Sequence, residues 1–399
     1  MTFDFETMLD RAGRDALSID SLGTGKGYAP GAPLPGIDPI PMWIADMNYP
    51  TAPCVVRSIV ARAEHPAFGY FDAPRAYYDA IKFWYKKRHG VTGIEDEHIG
   101  YHNGVLGGVA SALYAFTEPG EPILVHSPTY IGFKNTLRTC KRVPEYSPLV
   151  RDGDGVWRMD YEDMAQRIER NNIRVAIFCS PHNPTGRTWE RWELEKAADV
   201  YAEHGVTVIA DEIWADFTLR GTEFIPFHTV GDDARARTIT MSSVSKTFNL
   251  AGLQGSYSLV FDEGLREKFL EQAESSCYNE QNVLSMHALI GAYTDEGSEW
   301  VDQMRQTVQG NLDLLCDFVD RTEGLEAYRP EATYVVFIDC TEWCQAHGKS
   351  LDELEHELWD AGVAIQDGRM FNGPCHLRAN VALPQAKVEE ALQRMARVF

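Results

Sequence analysis

Short apolar runs alternate with longer amphipathic stretches through the middle of the chain. EPILVHSP (121–128), NIRVAIFCSP (172–181), GVTVIADE (205–212), ARTITMSSVS (236–245) and GSYSLVF (255–261) are nearly continuous in hydrophobic residues and are bounded by turn residues or charges. Such runs suit strands buried on both faces, because a strand with one wet face alternates apolar and polar positions. MDYEDMAQRIERNN (159–172) and WERWELEKAADVYAEHG (189–205) place their apolar residues at helical spacing instead. Strands separated by helices predict an α/β fold, with a mostly parallel central sheet flanked by helices. Residues 50–290 are assigned on this pattern to one large domain.

From residue 291 the pattern changes. MRQTVQGNLDLLCDFVDRT and LDELEHELWDAG read as helices, ATYVVFIDC and LRANVALP as strands, and KVEEALQRMARVF as a closing helix. Residues 291–399 are therefore expected to form a smaller α+β domain. The segment GTGKGYAPGAPLPGIDPIP, rich in Gly and Pro, predicts an extended arm. Residues 1–49 are assigned as an N-terminal arm belonging to the small domain.

Composition narrows the function classes. With 399 residues, 44% hydrophobic and 24% charged, the chain is globular and too long for one ordinary core. It has no run of about twenty apolar residues, so no membrane span is expected. Its start, MTFDFETMLDRAGRD, lacks the basic and apolar regions of a signal peptide, so cytoplasmic residence is the default expectation. A net charge of −22 repels nucleic acid and anionic membranes, and an anionic ligand would need local basic groups or helix N-termini to overcome that field. The eight cysteines stand at 54, 140, 179, 277, 316, 340, 344 and 375. Cys340 and Cys344 are the closest pair, with no second pair or His-x-x-x-His partner, so scattered reduced thiols and no metal are expected.

In open α/β sheets ligands bind beyond the carboxyl ends of the strands, and three predicted strand ends carry chemistry. SSVSK places Lys246 among hydroxyls and backbone N–H groups, where a neutral amine can form an imine with an aldehyde. Asp211 ends a hydrophobic strand, where its carboxylate serves either as a helix cap for IWADF or as the partner of a cation such as a pyridinium. CSPHNPTG is a turn by composition, and its Asn183 is also a candidate donor to a phenolic oxygen.

NPTG, then DE at a strand end, then S-x-S-K is the ordered set of the fold type I pyridoxal phosphate (PLP) enzymes, the class I/II aminotransferase superfamily, which this chain resembles. PMWIADMNYP, EHPAFGY, YYDAIKFWYKKRHG, CSPHNPTGR, DEIWAD and SKTFNLAGLQ extend the resemblance to the MalY/PatB-type cystathionine β-lyases, a branch of carbon–sulfur lyases, over residues 20–395. The resemblance implies the PLP-transferase type I fold, with the cofactor in the large domain. It assigns Lys246 as the lysine that carries PLP as a Schiff base and shuttles the α-proton. Asp211 pairs with the pyridinium nitrogen, Asn183 bonds the ring phenolate, and Tyr130 stacks on the ring. Gly104, Val105 and Leu106 cradle the phosphate at a helix start. Ser243 and Ser245 precede the lysine, and Ser243 matches the phosphate-binding hydroxyl. Arg378, with Asn183, forks onto the substrate carboxylate. Tyr70 reaches into the partner subunit's cofactor site, which implies a homodimer.

The chain also departs from that pattern. Trp214 stands where this branch commonly has His and aminotransferases Tyr, and an indole donates one hydrogen bond without exchanging a proton. Asn48 replaces an aspartate, and GRMFNGPCHLRAN is short and poor in glycine. Gln254 stands where many aminotransferases have a phosphate-binding arginine, which favours the lyase. The expected activity is α,β-elimination on a sulfur amino acid such as cystathionine or a cysteine conjugate, giving a thiol, pyruvate and ammonia. An L-amino-acid aminotransferase is the alternative, and a PLP-binding regulatory protein a minor one.

Overall fold

The computed structural model describes residues 2–399. The chain divides into two compact units, one of residues 51–182 with 187–302, the other of residues 1–50, 183–186 and 303–399. The change of pattern at 291 precedes the structural boundary at 302/303. Helix Val283–Ala292 packs on helices Pro53–Ala63 and Arg75–His89 of the large unit, and the first turns of the next helix, Asp295–Arg321, stay bonded to it as well. Ser58 Oγ donates to the His287 carbonyl at 2.6 Å, and Arg88 pairs with Asp302 at 2.6 Å.

The large unit is built on an eight-stranded sheet. Its strands are β1 (Ile99–Asn103), β2 (Pro122–Ser127), β3 (Val143–Arg151), β4 (Trp157–Met159), β5 (Val175–Cys179), β6 (Thr207–Asp211), β7 (Thr238–Ser242) and β8 (Gly255–Leu259). Their spatial order is β1-β8-β7-β6-β5-β2-β3-β4. The pairs from β7 through β6, β5 and β2 to β3 are parallel, whereas β8 runs antiparallel to both neighbours and β4 is antiparallel to β3. β1, β3 and β4 are additions to the strands that the apolar runs announce. β1 (IGYHN) carries polar residues, and β3 alternates buried with exposed positions.

Period-two geometry explains why the central strands read as continuous apolar runs. Ile123, Val125, Ile177, Ile209, Ile239 and Met241 face one core, completed by Val109, Leu113, Phe133 and Phe269 from helices. Leu124, Ala176, Phe178, Val208 and Ala210 face the other, against Met164, Ile168, Leu194 and Tyr201. Burying each large aliphatic or aromatic side chain contributes about 1.5–3 kcal/mol, so each face anchors its helices strongly. Helix Val105–Phe116 lies so close that a Cβ at Gly108 would meet Met241 Cε at 2.0 Å. No helix among the described residues is long and apolar enough to cross a membrane.

The smaller unit has a four-stranded antiparallel sheet of Glu326–Ala327, Val335–Asp339, His376–Asn380 and Gln366–Asp367, in that spatial order. Its N-terminal arm is held by a parallel pair, Ile40–Pro41 with Val363–Ala364. Asn380 Nδ2 donates to the carbonyls of Ile44 at 2.7 Å and Asp46 at 2.6 Å. Asn48 is fully buried there and accepts from Arg11 Nη1 at 3.2 Å, beside the Arg11–Asp46 ion pair. The amide thus serves the arm's packing.

Candidate active site

One edge of the large sheet gathers the predicted groups. Cys179, Asp211 and Met241 lie side by side in register at the ends of β5, β6 and β7, and Asn103 pairs with Gly255 at the corresponding end of β1. Lys246 follows β7 in the short helix Val244–Thr247, and Tyr130 follows β2 as the N-cap of helix Ile131–Thr139. The parallel strands therefore deliver Asp211, Lys246, Tyr130 and the Gly104 turn to the same edge.

Asp211 is 4% exposed. Burial pushes its carboxyl up to about 6, against the opposing effects of the Ile213 amide, which donates to Oδ1 at 3.1 Å, and of the Lys246 charge. Lys246 Nζ also lies 5.7 Å from the centre of the Trp214 ring. Trp214 is buried and meets Phe217 edge-on. Its indole face thus supplies negative π density to the ammonium, a role that neither His nor Tyr fills as well.

Ser243 caps the lysine helix. Its Oγ accepts from the Ser245 amide at 3.0 Å, donates to the Gly255 carbonyl at 2.6 Å and touches Ser245 Oγ at 2.7 Å. With Ser243 so engaged and buried, Ser245 is the more accessible hydroxyl.

Gly104 precedes helix Val105–Phe116 with φ 84°, a left-handed value that glycine adopts without strain. The first-turn N–H groups that follow, from Val105 and Leu106, have no acceptor inside the helix. Gln254 Oε1 comes within 3.1 Å of a Cβ built on Gly104, so its amide adjoins this turn. The Tyr130 ring and a methyl of Leu106 converge on Gly132, where a side chain would strike both.

The smaller unit holds the rest. Arg378, 3% exposed, lies in the strand His376–Asn380. Its Nη2 donates to the Trp43 carbonyl at 2.9 Å and to Gln366 Oε1, its Nη1 donates to Asn183 Oδ1 at 3.4 Å, and its guanidinium sits 4.2 Å over the Phe371 ring. Asn183 belongs to this unit because the Gly186 carbonyl accepts from both Glu331 and Ala332 amides at 2.9 Å. Tyr70 stands apart from these residues. It is fully exposed in the strandless segment between helices Pro53–Ala63 and Arg75–His89, beside an open groove of about 980 Å³ shared with Tyr78, Glu274 and Asn282.

A family model described as aminotransferase class I and II matches residues 39–395. The chain belongs to this family. It is 30% identical over 396 residues to cystathionine beta-lyase PatB of Bacillus subtilis, covering 98% of each chain. It is 29% identical to protein MalY of Escherichia coli, covering 98% of this chain and 97% of that one. The PLP-bound C-S lyase of Staphylococcus hominis has a similar structure, with a TM-score of 0.89 at 28% identity, covering 100% of this chain and 98% of that one. The fold is accordingly the type I PLP-transferase fold.

Within this aminotransferase-family scaffold, the large unit's residues fit the cofactor that the resemblance implies. A buried carboxylate held partly neutral by desolvation suits a ring-nitrogen cation, an amine beside it suits an aldehyde, and a glycine turn opening a helix suits a phosphate. Among the described residues no group of three His, Cys, Asp or Glu side chains is placed to hold a metal ion.

Sequence reasoning missed the residue that braces this edge. Asp216 is buried and accepts from Trp84 Nε1 at 3.1 and 3.2 Å and from Thr247 Oγ1 at 2.9 Å, with Arg88 Nε at 3.8 Å. It ties the turn of Lys246 to helix Arg75–His89. The only signal was a third acid, set among the apolar residues of DEIWADF. Glu212 was missed too; burial pushes it up to about 8, and its Oε2 has no hydrogen-bond partner.

Proposed function

We propose that this chain is a PLP-dependent carbon–sulfur lyase that eliminates a thiol from a sulfur amino acid, leaving pyruvate and ammonia. One observation carries the reading: the charge of Lys246, in the turn after one strand, acts on the buried carboxylate of Asp211 at the end of the neighbouring strand, in an aminotransferase-family chain. The relatives named cystathionine beta-lyase, matched almost end to end, support the lyase branch.

When bound, PLP supplies an electron sink for the pair released as the Cα–H bond breaks. Asp211 holds a proton on the ring nitrogen by keeping its negative charge beside it. The first turn after Gly104, with Ser245 and Ser243, would hold the phosphate, and Tyr130 would hold the ring. Lys246 would hold the cofactor by its aldehyde and would carry the proton taken from Cα. Trp214 steadies the ammonium form of that lysine. Arg378 forks onto the α-carboxylate, with Asn183 fixing its orientation. Gln254, neutral where many aminotransferases have an arginine, leaves less positive charge at the phosphate.

The deciding experiment is incubation of PLP-loaded protein with cystathionine and no oxo acid. Pyruvate and free thiol in equal amounts are expected. Activity that appears only with an added 2-oxo acid would overturn the lyase reading in favour of an aminotransferase.

The proposal includes a homodimer in which Tyr70 completes the partner's site. A fully exposed tyrosine on an open groove supports this. Light scattering should give twice the 44.9 kDa chain mass, and Tyr70→Ala should weaken activity. Cytoplasmic residence is part of the same reading, and the eight free thiols suit a reducing compartment.

A further inference from the structure

Lys246 sits in a helix too short to set its own direction. Val244–Thr247 is a single turn, closed by the Phe248 amide donating to the Val244 carbonyl at 2.9 Å. One turn fixes more dihedral angles than it gains hydrogen bonds, so its orientation depends on bonds to its neighbours. The Ser243 cap holds the entry, and Thr51 Oγ1 donates to the Phe248 carbonyl at 2.6 Å just beyond the exit. A third bond comes from the residue after the lysine: Thr247 Oγ1 donates to Asp216 Oδ2 at 2.9 Å.

Asp216 is itself pinned. Its two oxygens accept from Trp84 Nε1 at 3.1 and 3.2 Å, and the buried Trp84 stacks on Tyr293 with 4.4 Å between ring centres. Arg88 Nε at 3.8 Å and His89 Nε2 at 3.7 Å flank the carboxyl group. Asp216 also belongs to the segment after β6, which carries Asp211 at its start and Trp214 at the N-cap of the turn Ala215–Phe217. The Thr247–Asp216 bond thus joins two strand-end segments whose side chains meet where Lys246 Nζ lies 5.7 Å from the Trp214 ring.

We propose that Asp216 is a positioning residue: through the Thr247 hydroxyl it fixes the one-turn helix of Lys246 against the segment of Asp211 and Trp214, and so sets where the lysine Nζ stands. The proposal rests on the reading of Lys246 as the PLP lysine, not on the choice between lyase and aminotransferase. Releasing the bond moves Nζ away from the Asp211 charge and the Trp214 face. Both favour a charged nitrogen, and both attractions weaken with distance. A proton carrier displaced by about 1 Å also costs up to about a hundredfold in rate.

The test compares PLP-loaded variants. Thr247→Val removes only the hydroxyl and leaves Asp216 bonded to Trp84. Its kcat should fall by about ten- to a hundredfold while KM stays within about threefold of wild type, because Arg378 and its partners are untouched. The pH at which the absorbance of PLP held at Lys246 changes should fall by about half a unit or more. Thr247→Ser keeps the hydroxyl and should recover both properties, and Asp216→Asn should move the absorbance midpoint in the same direction as Thr247→Val. Urea unfolding of each variant reports folding separately. A lowered urea midpoint in Thr247→Val, with kcat and the absorbance midpoint unchanged, would overturn the proposal and leave Asp216 a structural brace. Equal losses in the Val and Ser variants would overturn it too. The absorbance titration uses no substrate, so a failed pyruvate assay strikes the lyase reading alone, and an unmoved midpoint strikes only the role of Asp216.

Discussion

The two units each bury a charge, by opposite means. In the large unit Asp211 has moved its pKa: burial holds it at about 6, with one backbone amide and the lysine charge as partial relief. In the smaller unit Arg378 cannot shed its proton, and the fold surrounds it with uncharged acceptors and an aromatic face. A carboxylate can stay partly neutral until a cation arrives, whereas a buried guanidinium needs its acceptors built in. Asp211 is therefore the group whose state a ligand changes most, and Arg378 is set before any ligand comes.

The largest break in that comparison comes from the amine beside Asp211. Lys246→Ala should lower kcat by about a thousandfold or more, since it removes both the covalent anchor and the proton carrier. The variant should remain folded, and reduction with borohydride should no longer attach PLP mass to residue 246. Retained attachment at that residue's peptide would mean a different lysine is used. Arg378→Ala should come next, costing about 2–5 kcal/mol in kcat/KM, as truncating one partner of a buried charged pair does. Most of the loss should fall on KM. Arg378→Lys should recover little, because an ammonium cannot fork onto a carboxylate. Full recovery with Lys would reduce Arg378 to a point charge.

How legible these sites were depended on which element carried them. Asp211 and Lys246 end strands whose apolar runs are unmistakable, so both strand position and chemistry could be read from TVIAD and SSVSK. Arg378 sits in HLRAN, which pattern alone marks as a strand and nothing more; its role came from resemblance. The neighbours that hold it, Trp43, Gln366 and Asn183, lie hundreds of residues apart in part, and no local pattern could join them. Asp216 was invisible for the same reason, since its partners Trp84 and Thr247 come from two other elements. The unit boundary at 302/303 falls inside helix Asp295–Arg321, whose first turns pair with Arg57 and Arg88, and periodicity encodes no such division.

The third expected effect concerns Asp211 in PLP-free protein. Its folded pKa of about 6 lies above the ordinary 3.8, so the ionised carboxyl disfavours the folded state. The sign follows: the cost is absent below about pH 4, grows as pH rises towards 6, and is complete above that. At about 1.4 kcal/mol per unit, PLP-free protein should lose up to about 3 kcal/mol across this window. Asp211→Asn should flatten that slope, and PLP should restore stability above pH 6 only in the parent. Urea unfolding at the two ends of the window measures it. An unchanged slope in the variant would place the titration elsewhere, with Glu212 the next group to replace.

The smallest expected effect separates two properties of Trp214. Its ring face, 5.7 Å from Lys246 Nζ, should contribute about 0.5–2 kcal/mol to the ammonium form, and its indole N–H is a donor besides. Trp214→Phe keeps a face and removes the donor; Trp214→His keeps a donor and shrinks the face. If the face matters, Phe should change kcat by less than about threefold while His costs more. If the donor matters, the order reverses. Trp214→Ala cannot decide, because emptying so large a buried site costs about 3–5 kcal/mol of stability and would mask either contribution. The Phe and His pair, compared by pH profile and by kcat, therefore shows whether the lysine beside Asp211 is held by charge alone or by an aromatic wall as well.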